Sequence, residues 1–135
     1  MLLSFRLETS RNFVIDETWV EQVVAAEEVF ALPGRKREAL GLVQYHGVLV
    51  PVFEFRLLFP DLFTELAPLP HLILFRGAES LNAMPAEALE TISGACEARE
   101  SLYQNPFLKP LELLHEGIWY RELSLEAIEP HLNIP

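Results

Sequence analysis

The sequence predicts an all-β chain arranged as two small barrels. Three observations carry this expectation. Apolar and β-branched residues come in short runs bounded by Gly, Pro, Asn and Ser rather than in long helical stripes. Gly41 to Phe59 reads as two strands meeting at His46-Gly47, with Pro51 inside the second. The two halves of the chain also repeat a similar order of short strands and a glycine turn.

The elements follow in order. Leu2 to Leu7 and Asn12 to Ile15 flank a polar turn at Thr9-Ser10-Arg11, a hairpin pattern. Trp19 to Phe30 is ambiguous: Ala25, Ala26, Glu27 and Glu28 favour helix, and Val20, Val23, Val24 and Glu27 fit a 3.6-residue period. Pro33 to Glu38 is an exposed loop holding the one positive cluster, Arg35-Lys36-Arg37. In the central segment Val48, Val50 and Val52 share one face, and Leu49, Phe53 and Phe55 add apolar content on the other side of Pro51. Proline has no amide hydrogen, so that strand lies at an edge or is bulged there. Leu57 to Leu66 suits one helical turn broken by Pro60, and Pro68 and Pro70 mark the boundary between halves. Leu72 to Phe75 is a strand and Gly77 to Ser80 a turn. Ser93 to Gln104 is polar enough for a loop or a short helix, ended by Pro106 and Pro110. Leu111 to Leu114 and Ile118 to Leu123 flank His115-Glu116-Gly117, a hairpin turn. Leu125 to Leu132 closes the chain as a short helix ended by Pro130.

The central residues also resemble a known family. Gly41-Leu42-Val43, Gly47-Val48-Leu49-Val50-Pro51-Val52, Glu54-Phe55-Arg56 and Phe59 look like the core motif of the CheW-like family of chemotaxis coupling proteins. Leu3 to Leu7, Phe13 to Ile15, Val20 to Val23 and Phe30 to Gly34 resemble its earlier segments in order. Leu72 to Phe75, Glu90 to Ile92 and Gly117 to Leu123 resemble its later ones. The resemblance turns the helix-or-strand choice at Trp19 to Phe30 towards a strand followed by a connecting turn.

The resemblance implies two SH3-like five-stranded barrels sharing one chain, with short helices after the first barrel and at the C-terminus. As a single domain over residues 1–135, the first barrel would span about 13–66, and the second about 71–125 plus the N-terminal strand. It implies a non-catalytic adaptor that couples methyl-accepting chemoreceptor-like proteins to a CheA-type histidine kinase. The contact residues it suggests are Val43, Tyr45, His46, Val48 and Val50, with Arg35 and Arg37 nearby. Two positions depart from the family pattern. The turn usually reads asparagine, apolar, arginine, glycine, and here Gln44-Tyr45-His46-Gly47 puts His46 in place of an arginine implicated in receptor contact. Pro85 falls where an uninterrupted strand is implied. Both leave room for a specialised pathway, such as a chemosensory system controlling type IV pilus (twitching) motility.

Composition narrows the function classes. Half of the 135 residues are hydrophobic, enough for a real core in one domain. The net charge of -10 argues against nucleic acid and anionic lipid as partners, since binding either needs clustered Lys and Arg. No run reaches the roughly 20 apolar residues a bilayer span needs, nor does a signal-peptide core form after Met1. The single Cys96 cannot form an internal disulfide. The expected location is therefore the cytoplasm, with recruitment to inner-membrane receptor arrays through a partner.

Catalytic and metal chemistry find little support. His46, His71, His115 and His131 are widely spaced, with no cysteine cluster beside them. No G-x-S-x-G elbow occurs and glycines are too sparse for a phosphate loop. Glu27-Glu28, Glu87, Glu90, Glu97 and Glu100 read as a solvated face rather than an acid–base pair. No cofactor or metal is expected. Trp19 and Trp119 suit an interface anchor, with core packing preferred for Trp119. Two other functions stay open: a small-molecule-binding regulatory domain using a cleft between barrels, and a hydrolase using a glutamate or His46.

Overall fold

The computed structural model describes residues 1–8, 11–26, 29–31, 39–63, 65–77 and 80–132. Its strands are β1 (Leu2–Glu8), β2 (Arg11–Asp16), β3 (Val20–Ala25), β4 (Phe30–Ala31), β5 (Ala39–Tyr45), β6 (Val48–Phe53), β7 (His71–Arg76), β8 (Leu81–Ile92), β9 (Glu97–Glu100), β10 (Leu108–His115) and β11 (Ile118–Leu123). Short 3-10 helices cover Glu17–Trp19 and Phe55–Leu58, and α1 spans Leu125–Leu132. The chain is all-β, with small barrels and few helices, as the sequence predicts. It forms two compact units, one from Trp19 to Ala86 and one from Met1–Thr18 with the chain from Glu87 onward.

In the 19–86 unit the strand order is β4-β5-β6-β8-β7-β3. β3 pairs antiparallel with β7 from Val20↔Phe75 to Ala25↔His71, so β7 lies in this unit together with Leu81–Ala86 of β8. The strand at Val20–Ala25 overrides the helical period of its valines, because pairing with β7 satisfies its backbone and half-buries those valines. Val43, Val50, Val52, Leu72, Leu74 and Ala83 form one core cluster, with half-buried Val24, Val29 and Tyr45 packed round it.

Pro51 and Pro85 sit where the antiparallel ladder does not use their nitrogens. Hydrogen-bonded and non-bonded pairs alternate along an antiparallel ladder. The Tyr45↔Val48 pair closes the tight turn, so Leu42↔Pro51 is non-bonded and the Pro51 nitrogen faces away from β5. On that outer side β6 pairs with β8 at Val52↔Ala83, so β6 lies inside the strand order rather than at its edge as expected, and the β5–β6 register shift falls at Ala39 and Gly41 rather than at Pro51. Pro85 behaves likewise: Gly77 N–H donates to Ser80 O (2.8 Å), so the alternation makes Leu72↔Pro85, an odd number of pairs further along the ladder, a non-bonded pair. β8 therefore runs through Pro85 without a break, against the expectation of an interruption.

In the second unit the order is β8-β1-β2-β11-β10-β9, with β2 and β11 parallel at Arg121↔Phe13 and Glu122↔Val14. Val14, Ile92 and Tyr120 form a small core, with Leu2, Cys96 and Leu113 against it. Along β8, Ala88 takes φ 52°, where the register with β1 shifts between Ser4 and Arg6. This is a bulge built on an alanine in the left-handed region.

Two expectations change in this unit. Glu97–Glu100, predicted as loop or short helix, is the edge strand β9, paired with β10 from Leu111↔Glu100 to Leu114↔Glu97. Its residues favour helix, but backbone pairing and an Arg99 Nε–Glu112 Oε1 ion pair of 2.6 Å hold it extended. Pro130 does not end the final helix, which continues to Leu132. The Ser124 carbonyl accepts from Ala127 and Ile128, Leu125, Ile128 and Leu132 are buried, and Pro130 falls on an exposed position in the last turn.

Candidate functional site

The predicted contact residues are divided by the β5–β6 hairpin into an interior and a tip. His46 (φ 48°) and Gly47 (φ 78°) are both left-handed, the pattern of a type I′ turn whose twist matches its flanking strands. That turn fixes the register Tyr45↔Val48, Gln44↔Leu49, Val43↔Val50. Val43 is 6 % exposed and Val50 is 0 %, so both belong to the core and their side chains are not offered to a partner. Val48 shares a face with Val50 yet is 56 % exposed, because it lies beyond the core's end. Leu49, on the opposite face, is 59 % exposed.

The tip therefore shows apolar surface on both faces at once. The His46 ring stands edge-on to Tyr45, centroids 4.3 Å apart, which orients the imidazole at the summit. Tyr45, His46 and Val48 are thus brought together, and Leu49 joins them. Leu49 was legible as apolar but not as exposed. Arg35 and Arg37 lie outside the described residues.

A second feature follows directly along the chain. Glu54 caps the 3-10 helix Phe55–Leu58: its Oε2 accepts from Arg56 N–H (3.2 Å) and Arg56 Nε (3.0 Å), and its Oε1 from Arg56 Nη2 (2.7 Å). Both side chains are 4 % exposed. A two-pronged carboxylate–guanidinium pair meets the geometric requirement for burying opposite charges together. The pair lines a cleft of about 290 Å³ within the 19–86 unit, whose remaining walls are apolar, among them Leu40, Val52, Leu66, Leu69, Leu72 and Pro85. In sequence this feature shows as the acidic-apolar-arginine triplet of the central motif.

The other candidates scatter. His71 is half-buried on β7, His115 lies 3.9 Å from Glu116 at its own turn, and the His131 ring packs 5.2 Å from Phe107. Among the described residues no group of three His, Cys, Asp or Glu gathers to hold a metal ion. Trp119 is not core as expected: it is half-buried, with the Arg99 guanidinium 3.5 Å over its ring. Among the described residues no helix is long and apolar enough to cross a membrane.

No family model and no curated protein matches the chain. Among solved structures it is similar to the crystal structure of the scaffolding protein TtCheW from Thermoanaerobacter tengcongensis. The TM-score is 0.76 over 92 % of this chain and 88 % of that one, at 12 % identity. The fold is accordingly CheW-like.

Proposed function

We propose that this chain is a non-catalytic adaptor in chemotaxis-type signal transduction, coupling a chemoreceptor-like protein to a CheA-type histidine kinase. The observation that carries the reading is the β5–β6 tip, where Val48 and Leu49 are exposed on opposite faces of a hairpin whose interior is core. Exposed apolar residues held rigidly suit a protein partner better than solvent. The likeness of fold to a scaffolding protein supports the same direction. Tyr45, His46, Val48 and Leu49 are assigned to receptor contact, and Arg35 and Arg37 to an acidic partner surface. His46 in place of an arginine favours a specialised receptor, such as one serving type IV pilus motility, and a cytoplasmic location at inner-membrane arrays.

The test mixes the protein with a CheA-type kinase and receptor fragments and follows phosphorylation. The kinase rate is expected to change only when all three are present, and Val48→Ser with Leu49→Ser should remove that change while the Tm stays constant. Activity of the isolated protein on a substrate, lost on changing one histidine, would overturn the adaptor reading. A regulatory small-molecule site is the second reading, favoured by the 290 Å³ cleft. Its carboxylate and guanidinium are engaged with each other, which leaves mainly apolar wall for a ligand.

A further inference from the structure

The edge of the second unit combines three features that nothing in the adaptor reading uses. The first is backbone. Ser101 N–H donates to Pro110 O (3.3 Å), and register continues through Arg99↔Glu112 and Glu97↔Leu114. By the alternation of an antiparallel ladder, Arg99 and Glu97 turn their amide and carbonyl groups to β10. Ala98 and Glu100 therefore turn theirs outward, and β9 ends the strand order.

The second feature is a fixed apolar knob. Leu102 is 104 % exposed, two residues past Glu100. Its loop is held from beneath by Arg121, whose Nη1 donates to Ser101 Oγ (2.8 Å) and Tyr103 O (2.6 Å) and whose Nη2 donates to Lys109 O (2.8 Å). Gln104 Nε2 adds a bond to Ser101 O (2.6 Å). A leucine presented on so many hydrogen bonds is ordered before any partner arrives, which lowers the entropy lost on binding.

The third is charge. Glu97 and Glu100 are exposed and join no ion pair among the described residues, while Arg99 is engaged by Glu112 and Trp119. Carboxylates outnumber Lys and Arg in this unit by more than two to one. A second copy is a poor occupant. Pairing through both outward residues would set Ala98 against Glu100 of the copy and lay Arg99 on its own image, between two surfaces of like charge.

We infer that β9 and Leu102 form a docking edge for an extended, lysine- or arginine-bearing segment of a partner protein, which adds to the sheet as a further strand. Main-chain bonds to Ala98 and Glu100 supply the pairing, Glu97 and Glu100 select basic side chains, and Leu102 seats against an apolar residue of the segment. The surface is separate in sequence from the Tyr45–Leu49 tip, so the inference stands whether or not that tip contacts a receptor.

The experiment titrates the isotope-labelled full chain with two capped synthetic peptides, one alternating Lys and Val and one alternating Glu and Val. The basic peptide should bind about tenfold or more tightly than the acidic one. At saturation the Ala98 and Glu100 amides should exchange with solvent about tenfold more slowly, with Glu97 and Arg99 unchanged because β10 already holds them. Ala98→Pro deletes one outward donor and no ladder bond, so it should weaken binding about tenfold at constant Tm. If that proline disturbs the strand, Glu100→Lys and Leu102→Asp replace it: the first should reverse the peptide preference, the second weaken both. Protection elsewhere but not at Ala98 and Glu100, or binding equally strong in these variants, overturns the inference. So does a concentration-dependent dimer abolished by Glu100→Lys or Ala98→Pro, since the edge would then be a self-interface.

Discussion

Hairpins β5–β6 and β10–β11 turn through the same pair of left-handed residues, His46-Gly47 in one and Glu116-Gly117 in the other, with φ of 48° and 78° against 48° and 80°. Each turn closes a two-residue loop, Tyr45↔Val48 and His115↔Ile118. What holds the two ladders differs. β5–β6 is held by burial, with Val43, Val50 and Val52 in an apolar core. β10–β11 buries Leu108, Tyr120 and Leu123, and adds polar ties: Lys109 to Glu122 (2.9 Å), Arg99 to Glu112, and the Arg121 clamp on the 101–109 segment. Turn chemistry sets register, and the flanking side chains decide which surface is left for others. An apolar interior frees the tip at Val48 and Leu49, whereas polar ties make a rigid platform for an exposed loop.

The comparison breaks most visibly at Val50. Val50→Asp places an unpaired charge in the core of β5–β6 and should cost about 3–5 kcal/mol, a large share of the roughly 5–15 kcal/mol typical of a domain. Leu111→Asp, on an exposed position of β10, should change stability by less than about 0.5 kcal/mol. Urea denaturation of both variants checks the contrast, and equal midpoints would refute it. Arg121→Met should cost about 2 kcal/mol, since three bonds from a charged donor are lost. Amide exchange should then quicken at Ser101 to Gln104 and stay unchanged at the β5–β6 tip.

Smaller changes sharpen the likeness instead. Gly47→Ala and Gly117→Ala meet no steric obstacle, so each should cost only the left-handed penalty of about 1–2 kcal/mol, and the two costs should agree. Unequal melting shifts would show that the turns are not equivalent. Lys109→Met tests the polar tie alone. The hydrogen bond to Glu122 raises the Lys109 pKa above 10.5, so its stabilisation is complete below the unfolded value and is lost as pH rises through the folded one. For a half-exposed pair the increment is below about 1 kcal/mol. The Tm gap between wild type and Lys109→Met should be level from neutral pH upward and close only beyond the ordinary lysine range.

Both hairpins were legible in the sequence because a glycine turn and alternating apolar residues state their register locally. Trp19 to Phe30 needed more than local information, since its helical period is outvoted by pairing with β7. β9 was not legible: Glu-Ala-Arg-Glu has no apolar alternation, and its strand state comes from β10. Pro85 was read as a break because composition does not reveal which way a missing N–H would have pointed, and Pro130 because the burial of Leu125, Ile128 and Leu132, which carries the helix past it, is set by tertiary packing. For the candidate site, Tyr45, His46 and Val48 are where the pattern placed them, on the tip. Val43 and Val50 have the right parity but sit further along the strands, inside the core, and distance from the core's end is not written in a period of two.

The Glu54–Arg56 pair carries a consequence for how this chain can change over generations. Replacing either residue alone breaks the buried pair in the cleft wall, a step costing on the order of 3–5 kcal/mol, whereas exchanging both for apolar residues of similar volume is close to neutral. The two codons are therefore locked into a joint fate. In a library randomised at both positions and selected for folding, survivors should hold the charged couple or an apolar couple, with mixed combinations missing.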